Sequence, residues 1–114
     1  MSLGKEGEEL AVRFLKKKGY RVIEKNYRTP FGEIDIIAKD KDAIVFIEVK
    51  TREGTDFGQP FEAVNIHKRQ KIAKVALSYL KRFKEEPRCR FDVVSILYKG
   101  KNAEIELLKD AFEV

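Results

Sequence analysis

The sequence predicts an α/β fold in which a central mixed β-sheet is flanked by two main helices, within a single domain of residues 1–114. Two stretches with helical periodicity, near residues 4–18 and 65–83, separate groups of short segments rich in Val, Ile and Phe. Two of these short segments, 32–38 and 44–50, are apolar enough to lie at the centre of the sheet. The predicted order is therefore helix, three strands, helix and two strands.

The first predicted helix is amphipathic and ends before Gly19, a residue type that often follows a helix C-terminus. Its apolar stripe consists of Leu10, Ala11, Phe14 and Leu15. Glu8 lies at the border of this stripe and is the acidic side chain best placed to face inward. A glutamate that complements the helix dipole from the first turn explains the same residue equally well.

The two central segments form a predicted hairpin with charged residues on one face. A tight turn at Lys41 and Asp42 fixes the register. In that register the opposed pairs are Ile37 with Phe46, Asp35 with Glu48, and Glu33 with Lys50. Because side chains alternate between the faces of a strand, the four charged residues share one face. The opposite face is the expected core, formed by Ile34, Ile36, Val45, Ile47 and Val49.

Two opposed carboxylates in central strands favour a bound cation. Asp35 and Glu48 would repel one another, and one would take up a proton unless a cation joined them. Carboxylate oxygens are ligands that Mg²⁺ prefers, with waters and substrate phosphates completing its shell. Lys50 would reach the same site and could orient a water or stabilise developing charge. A structural alternative stays open, in which Glu33 pairs with Lys50 and Asp35 with a distant arginine.

The second predicted helix has an apolar stripe that is expected to lie in the core, formed by Ile72, Ala73, Ala76, Leu77, Leu80 and Phe83. The rest of its surface is strongly cationic. Residues 66–84 contain seven Lys or Arg and no acid, which suits a phosphate backbone and predicts salt-sensitive binding. Lys68, Lys71 and Lys74 are the candidate contacts on this helix. Arg52 has the same strand parity as Lys50 and is a further candidate phosphate contact. A merely solvated helix surface is the alternative.

Composition narrows the class of protein without fixing its function. The net charge of +5 favours an anionic partner. A single cysteine, Cys89, and a single histidine, His67, exclude an internal disulfide and a zinc site built from Cys and His. The N-terminus has no apolar signal region and no stretch is long enough to span a membrane, so a cytoplasmic protein is expected.

Two further segments carry weaker predictions. Residues 51–61 contain Gly54, Gly58 and Pro60 and are expected to form a loop after the central hairpin. Asp92, in a buried-looking strand, is predicted to be the structural partner of a buried Arg or Lys rather than a metal ligand.

Several blocks together resemble a known family. Asp35 followed by Glu48-Val49-Lys50 is similar to the D…ExK signature of the restriction-endonuclease-like nucleases, the PD-(D/E)xK superfamily. The proline of that signature is replaced here by Ile34. The wider pattern covers nearly the full chain and resembles the YraN-like uncharacterised family, related to archaeal Holliday-junction resolvases. Its main blocks are Asn26-Tyr27-Arg28, Gly32-Glu33-Ile34-Asp35, Phe46-Ile47-Glu48-Val49-Lys50-Thr51-Arg52 and Arg90-Phe91-Asp92-Val93-Val94, with Glu8 and Lys68 outside them.

The resemblance implies a restriction-endonuclease-like core and a nuclease-like site for Mg²⁺ or Mn²⁺. The implied metal ligands are Glu8, Asp35, Glu48 and the main-chain carbonyl of Val49. Together with Lys50, the three acids would be the catalytic residues.

The leading hypothesis is a metal-dependent endonuclease that acts on DNA, with branched or structured DNA among the candidate substrates. Arg52, Lys68, Lys71 and Lys74 would hold the DNA backbone, and a homodimer would suit a resolvase-like role. Two alternatives stay open. One is a nucleic-acid-binding module with the nuclease fold and little or no catalysis, and the other is an interaction subunit whose basic helix docks an acidic protein.

Overall fold

Within residues 3–54 and 66–112, which are those that the computed structural model describes, two helices and five strands follow one another in the predicted order. They are α1 (Leu3–Lys17), β1 (Arg21–Thr29), β2 (Gly32–Asp40), β3 (Ala43–Glu53), α2 (Ile66–Leu80), β4 (Cys89–Lys99) and β5 (Asn102–Leu108). No helix in this part of the chain is long and apolar enough to span a membrane.

The strands form one sheet in the order β1-β2-β3-β4-β5. Neighbouring strands are antiparallel except β3 and β4, which are parallel and are separated in the chain by α2. The prediction of a mixed sheet with two helices is therefore confirmed. Because each helix packs on a different face, the central strands are buried on both sides.

The hairpin of β2 and β3 has the predicted register. Ile37 pairs with Phe46, and the turn at Lys41 and Asp42 joins the strands, with Lys41 in the left-handed region at a φ of 57°. Regular pairing extends as far as Ile36 with Ile47. The next pair in the same register would be Asp35 with Glu48.

The expected division of the hairpin into an apolar and a charged face is wrong at Ile34. Ile36, Val45 and Ile47 pack on the α1 side, whereas Ile34 packs with Ile37 and Phe46 on the α2 side. The neighbouring strand supplies the physical reason. Asn26 lies between the paired residues Lys25 and Tyr27 of β1 with a φ of 52°, which breaks the alternation of side chains opposite Asp35. Asp35 therefore lies where β2 changes face.

The predicted loop at 51–61 begins later than expected. Residues 51–53 continue β3, because they pair with residues 96–98 of the parallel neighbour β4. Arg52 is consequently held on a strand. The remainder of this predicted loop, from residue 55 onward, lies outside the described residues.

Helix α2 buries part of the stripe that its periodicity predicts, since Ile72, Ala76 and Leu80 lie in the core. Its buried residues are Ile72, Val75, Ala76, Tyr79 and Leu80. Leu77, expected in the core, is 57% exposed, whereas Tyr79 lies inside and makes edge contacts with Tyr27 and Phe46. The helix also ends at Leu80, earlier than predicted.

Asp92 is fully buried and serves as the predicted structural partner of an arginine. Arg90 donates to both of its carboxylate oxygens, at 2.8 and 2.9 Å. The Tyr20 hydroxyl donates to Asp92 at 2.9 Å, and the main-chain N–H of Asp110 donates at 3.0 Å. Arg90 also contacts Asp40 at 3.0 Å. This network ties β4 to the start of β1 and to the end of the central hairpin.

Candidate functional site

Asp35 and Glu48 lie on neighbouring strands, at the point where β2 and β3 stop pairing through their main chains. The Val49 N–H donates to Asp35 Oδ2 at 2.8 Å. If β2 and β3 continued to pair, this N–H would donate to a main-chain carbonyl of β2, so the Asp35 carboxylate replaces that carbonyl as the acceptor. Asp35 is half-buried and Glu48 is 8% exposed. The sequence thus places two acids beside one another in a sheet that is covered on both faces.

Burial and mutual repulsion act on this pair. The pKa of Asp35 is raised to about 7, first by burial and then by the charge of Glu48. The bond from Val49 N–H opposes this rise, while Glu8 and Glu33 add to it. A carboxyl group that is half-protonated near neutral pH marks a position where a cation would relieve strong electrostatic repulsion.

Two lysines approach the same carboxylate from the α2 side. Lys68 of α2 forms an ion pair with Glu48 Oε1, and Lys50 Nζ lies 3.9 Å from that oxygen. The pKa of Lys50 is lowered, first by burial and then by the neighbouring Lys68. Burial also acts to lower the pKa of Lys68, but its contacts with Glu48 and Lys50 outweigh this and raise it. Lys50 is therefore the lysine of the two that gives up its proton more readily.

Glu33 takes no part in the expected alternative pairing with Lys50. Its carboxylate instead accepts from Arg28 Nε at 3.1 Å. The structural alternative in which Glu33 neutralises Lys50 is thus wrong. The carboxylate that lies near the Lys50 ammonium is that of Glu48 on the same strand.

Glu8 reaches the acidic group from α1. The helix approaches β3 closely at Gly7, where a methyl group would overlap Thr51 Oγ1. Glu8 is half-buried, and its pKa is raised by burial and then by the charges of Glu33 and Glu48. Oriented with its amide nitrogen toward two acceptors, Asn26 donates to Glu8 Oε1 and Glu33 Oε1, each at 2.8 Å.

Asn26 is a site residue for which no role was predicted from the sequence. An asparagine within a predicted strand could have indicated a left-handed backbone position, because asparagine tolerates that conformation better than most non-glycine residues do. The amide holds Glu8 next to Glu33, and the left-handed backbone of Asn26 lies across from Asp35 on the neighbouring strand.

The four predicted ligand groups are neighbours without forming a closed metal cage. Across residues 3–54 and 66–112, no three His, Cys, Asp or Glu side chains are arranged to hold a metal ion as they stand. Asp35 and Glu48 form the adjacent pair, and the Val49 main chain lies against Asp35. Glu8 is turned to Asn26. Metal binding through all three acids would therefore require Glu8 to change partners.

The predicted phosphate contacts divide into two groups. Lys68 and Arg52 lie near Lys50 beside the acids, where the charge of Arg52 helps to lower the pKa of Lys50. Lys71 and Lys74 are exposed on α2, and Lys74 Nζ lies 5.8 Å from the centre of the Phe31 ring. Lys68, expected only on the DNA-facing side, is thus placed against a candidate metal ligand.

Known proteins identify the family. The sequence profile of the uncharacterised protein family UPF0102 matches residues 7–96. The chain belongs to the UPF0102 family. A UPF0102 protein of Thermodesulfovibrio yellowstonii is 53% identical over 112 residues, which cover 98% of this chain and 96% of the relative. A UPF0102 protein of Syntrophus aciditrophicus is 48% identical, with 97% and 88% covered. The family resemblance found in the sequence is confirmed, and these names state no activity.

Proposed function

We propose that this UPF0102 protein is a metal-dependent endonuclease that hydrolyses phosphodiester bonds in DNA, with branched DNA among its substrates. The observation that supports this most strongly is the placement of the half-buried Asp35 beside the buried Glu48, which Lys50 and Lys68 also approach. Adjacent buried acids beside lysines are unfavourable for stability alone, and they suit a site that binds a cation and a phosphate.

The donor groups fit Mg²⁺ or Mn²⁺. Mg²⁺ is commonly held by one or two carboxylates together with waters and substrate phosphates, and Asp35 and Glu48 provide that number of acids. The Val49 carbonyl would be a further ligand, and Glu8 would join after releasing Asn26. Such an ion, when bound, lowers the pKa of a water and neutralises charge on a phosphoryl oxygen.

Lys50 is the residue best suited to act on the attacking water. It lies 3.9 Å from Glu48 Oε1, and burial lowers its pKa. An ammonium at this point would orient the water and balance the charge that develops on the phosphate. Lys68 would leave Glu48 and contact a phosphate oxygen, since a divalent cation would replace its charge on the carboxylate.

The fold supports the same proposal. Asp35 on β2 and the Glu48-Val49-Lys50 motif on β3, followed by a helix and a parallel strand, have the arrangement expected of a restriction-endonuclease-like core. The exposed Lys71 and Lys74, with Arg52, would bind the DNA backbone beyond the reacting phosphate.

Cleavage of a substrate panel tests the proposal. Linear, nicked, flap and four-way DNA would be incubated with the wild-type protein and Mn²⁺ or Mg²⁺, with Glu48→Gln as the matched variant. We expect divalent-dependent cleavage of at least one substrate by the wild type and none by Glu48→Gln. Equal cleavage by both proteins, or no cleavage of any substrate, would overturn it.

A second function is favoured by the ion pair between Lys68 and Glu48. A protein that binds nucleic acid without cutting it would retain this pair, because the lysine then neutralises the acid permanently. In that case DNA would bind with the same strong salt dependence, and divalent cations would act only as salt, without binding to Asp35 and Glu48. The substrate panel and a metal titration separate the two functions.

A further inference from the structure

A cavity of about 390 Å³ opens between α1 and β1, next to the candidate site. Five residues of α1 line it at the spacing of a single helix face, namely Lys5, Glu8, Glu9, Val12 and Arg13. Lys25 and Asn26 of β1 and Ile36 of β2 complete the lining. This face of α1 carries mostly charged side chains, although much of the surface that lines the recess is apolar and adjoins the core at Val12 and Ile36.

The lining has the chemistry of a site for one nucleotide. Lys5, Arg13 and Lys25 are cations that suit a phosphate. Val12 and Ile36 supply an apolar surface on which the flat face of a base can lie. Glu8 and Glu9 would repel a bare phosphate ion, but carboxylates accept hydrogen bonds from the amino groups of bases. Cations, an apolar surface and acceptors together fit a nucleotide better than an inorganic anion.

The size of the cavity is consistent with a single unit of a strand. Ligand pockets run from roughly 300 to 1,000 Å³, so a cavity of about 390 Å³ is at the small end. A base that remained stacked and paired within a duplex could not enter a recess between a helix and a sheet edge. An unpaired base, or one turned out of the helix, could enter it.

The cavity shares Glu8 with the candidate site. Glu8, one of the candidate metal ligands, forms part of the cavity wall. Asn26 also lines the cavity and donates to both Glu8 and Glu33. A nucleotide bound there would therefore place its neighbouring phosphate near Asp35 and Glu48.

We infer that this cavity receives one unpaired nucleotide of the DNA strand whose phosphate is cleaved at the Asp35–Glu48 pair. The inference rests on the proposed function and narrows its substrate class to DNA with an unpaired nucleotide at the cleavage position. Flaps, branch points and single strands satisfy this requirement. An uninterrupted duplex satisfies it only after a base is unpaired and unstacked, which is unfavourable.

Fluorescence of 2-aminopurine tests the inference without metal. Duplex DNA with one unpaired 2-aminopurine, and a fully paired duplex with the same base, would be titrated with the full-length protein, with DNA binding followed separately by anisotropy. Among the residues that the structure describes, none that lines the cavity is aromatic, so a base inside it would lose the quenching that stacking causes. We expect fluorescence to rise about threefold for the unpaired base and to change little for the paired one.

Two variants and a control localise the signal. Arg13→Ala should weaken binding of the unpaired-base DNA about tenfold, because a charged phosphate contact is lost. Val12→Met should reduce the fluorescence rise by obstructing the cavity, while its charges stay in place and no aromatic ring is introduced. Lys16→Ala, on the same helix and outside the lining, should behave as the wild type.

The outcomes separate this inference from the proposed function. If DNA binds without a rise in fluorescence, if Arg13→Ala and Lys16→Ala behave alike, or if no DNA binds, the cavity is not a nucleotide site. Efficient cleavage of fully paired duplex would likewise overturn the inference and leave the nuclease proposal standing. A fluorescence rise without any metal-dependent cleavage would support the cavity and contradict the nuclease.

Discussion

Lys68 of α2 forms an ion pair with Glu48 of β3, and this contact places an ammonium on the carboxylate that a metal ion would need. Lys50 lies 3.9 Å from the same oxygen. A divalent cation must therefore compete with Lys68 for Glu48. The ion pair compensates a buried acid in the metal-free protein and at the same time opposes metal binding.

Removal of Lys68 should strengthen metal binding. In Lys68→Met, Glu48 keeps only the more distant charge of Lys50, so Mn²⁺ should bind about threefold to tenfold more tightly than to the wild type. Cleavage of DNA should fall, because a phosphate contact is lost. Calorimetric titration with Mn²⁺ measures the change in metal affinity. Lys71→Met, which changes an exposed lysine of the same helix, is the control for that affinity. Unchanged or weaker Mn²⁺ binding in Lys68→Met would contradict the competition.

The raised pKa of Asp35 predicts that the metal-free protein loses stability as pH rises. The folded state binds the Asp35 proton more tightly than the unfolded chain, since the pKa is raised from 3.8 to about 7. The resulting stability is fully present below pH 4 and is lost as the pH rises through about 7. The free energy of unfolding should fall over this window by a few kcal/mol at most.

Urea unfolding of the wild type and of Asp35→Asn at pH 5 and pH 8 measures this term. Asp35→Asn removes the titrating group, so its free energy of unfolding should depend less on pH than that of the wild type. Equal pH dependence in the two proteins would show that Asp35 does not carry the proton.

Arg90 should matter for stability and not for metal binding. Arg90→Met leaves Asp92 charged, fully buried and without its counter-charge, which should cost about 3–5 kcal/mol in the free energy of unfolding. Arg88→Met, two residues earlier, breaks an ion pair with Asp42 in which both side chains are highly exposed, and should change stability little. Denaturant unfolding measures both variants. A small effect of Arg90→Met, or a loss of Mn²⁺ affinity in the folded variant, would contradict a purely structural role.

The close contact of α1 with β3 predicts opposite effects of two glycine substitutions. Gly4→Ala meets nothing within 4 Å and should stabilise the helix by up to about 1 kcal/mol. Gly7→Ala overlaps Thr51 and should destabilise the protein by about 1–3 kcal/mol, and it should push Glu8 away from the other acids. Thermal unfolding checks both, and Thr51→Ala should relieve the overlap. If Gly7→Ala stabilised the protein as Gly4→Ala does, the close approach would be ruled out.

The sequence predicted those features that depend on local patterns. The register of Ile37 with Phe46 followed from the turn at Lys41 and Asp42, since a tight turn fixes which residues oppose one another. The pairing of Asp92 with a buried Arg or Lys could be predicted because an acid in an apolar strand needs a counter-charge.

Features that depend on partners distant in the chain could not be predicted in the same way. Ile34 changes face because of the backbone of Asn26 in another strand. The extension of β3 to residue 53 comes from parallel pairing with β4, and Leu77 is exposed because packing on the sheet selects the stripe that contains Tyr79. The ion pair of Lys68 with Glu48 joins a helix to a strand, and neither spacing nor charge pattern specifies that contact.

Metal binding by Asp35 and Glu48 is the central claim, and calorimetric titration of the metal-free protein with Mn²⁺ tests it most directly. The wild type should bind with a Kd between micromolar and millimolar, and affinity should rise by about tenfold from pH 6 to pH 8 as Asp35 loses its proton. Asp35→Asn and Glu48→Gln should bind no Mn²⁺ in this range, whereas Asp42→Asn, an exposed acid of the hairpin turn, should bind as the wild type does. If the wild type showed no heat of Mn²⁺ binding, or if Asp35→Asn bound Mn²⁺ as tightly as the wild type does, the claim would be contradicted.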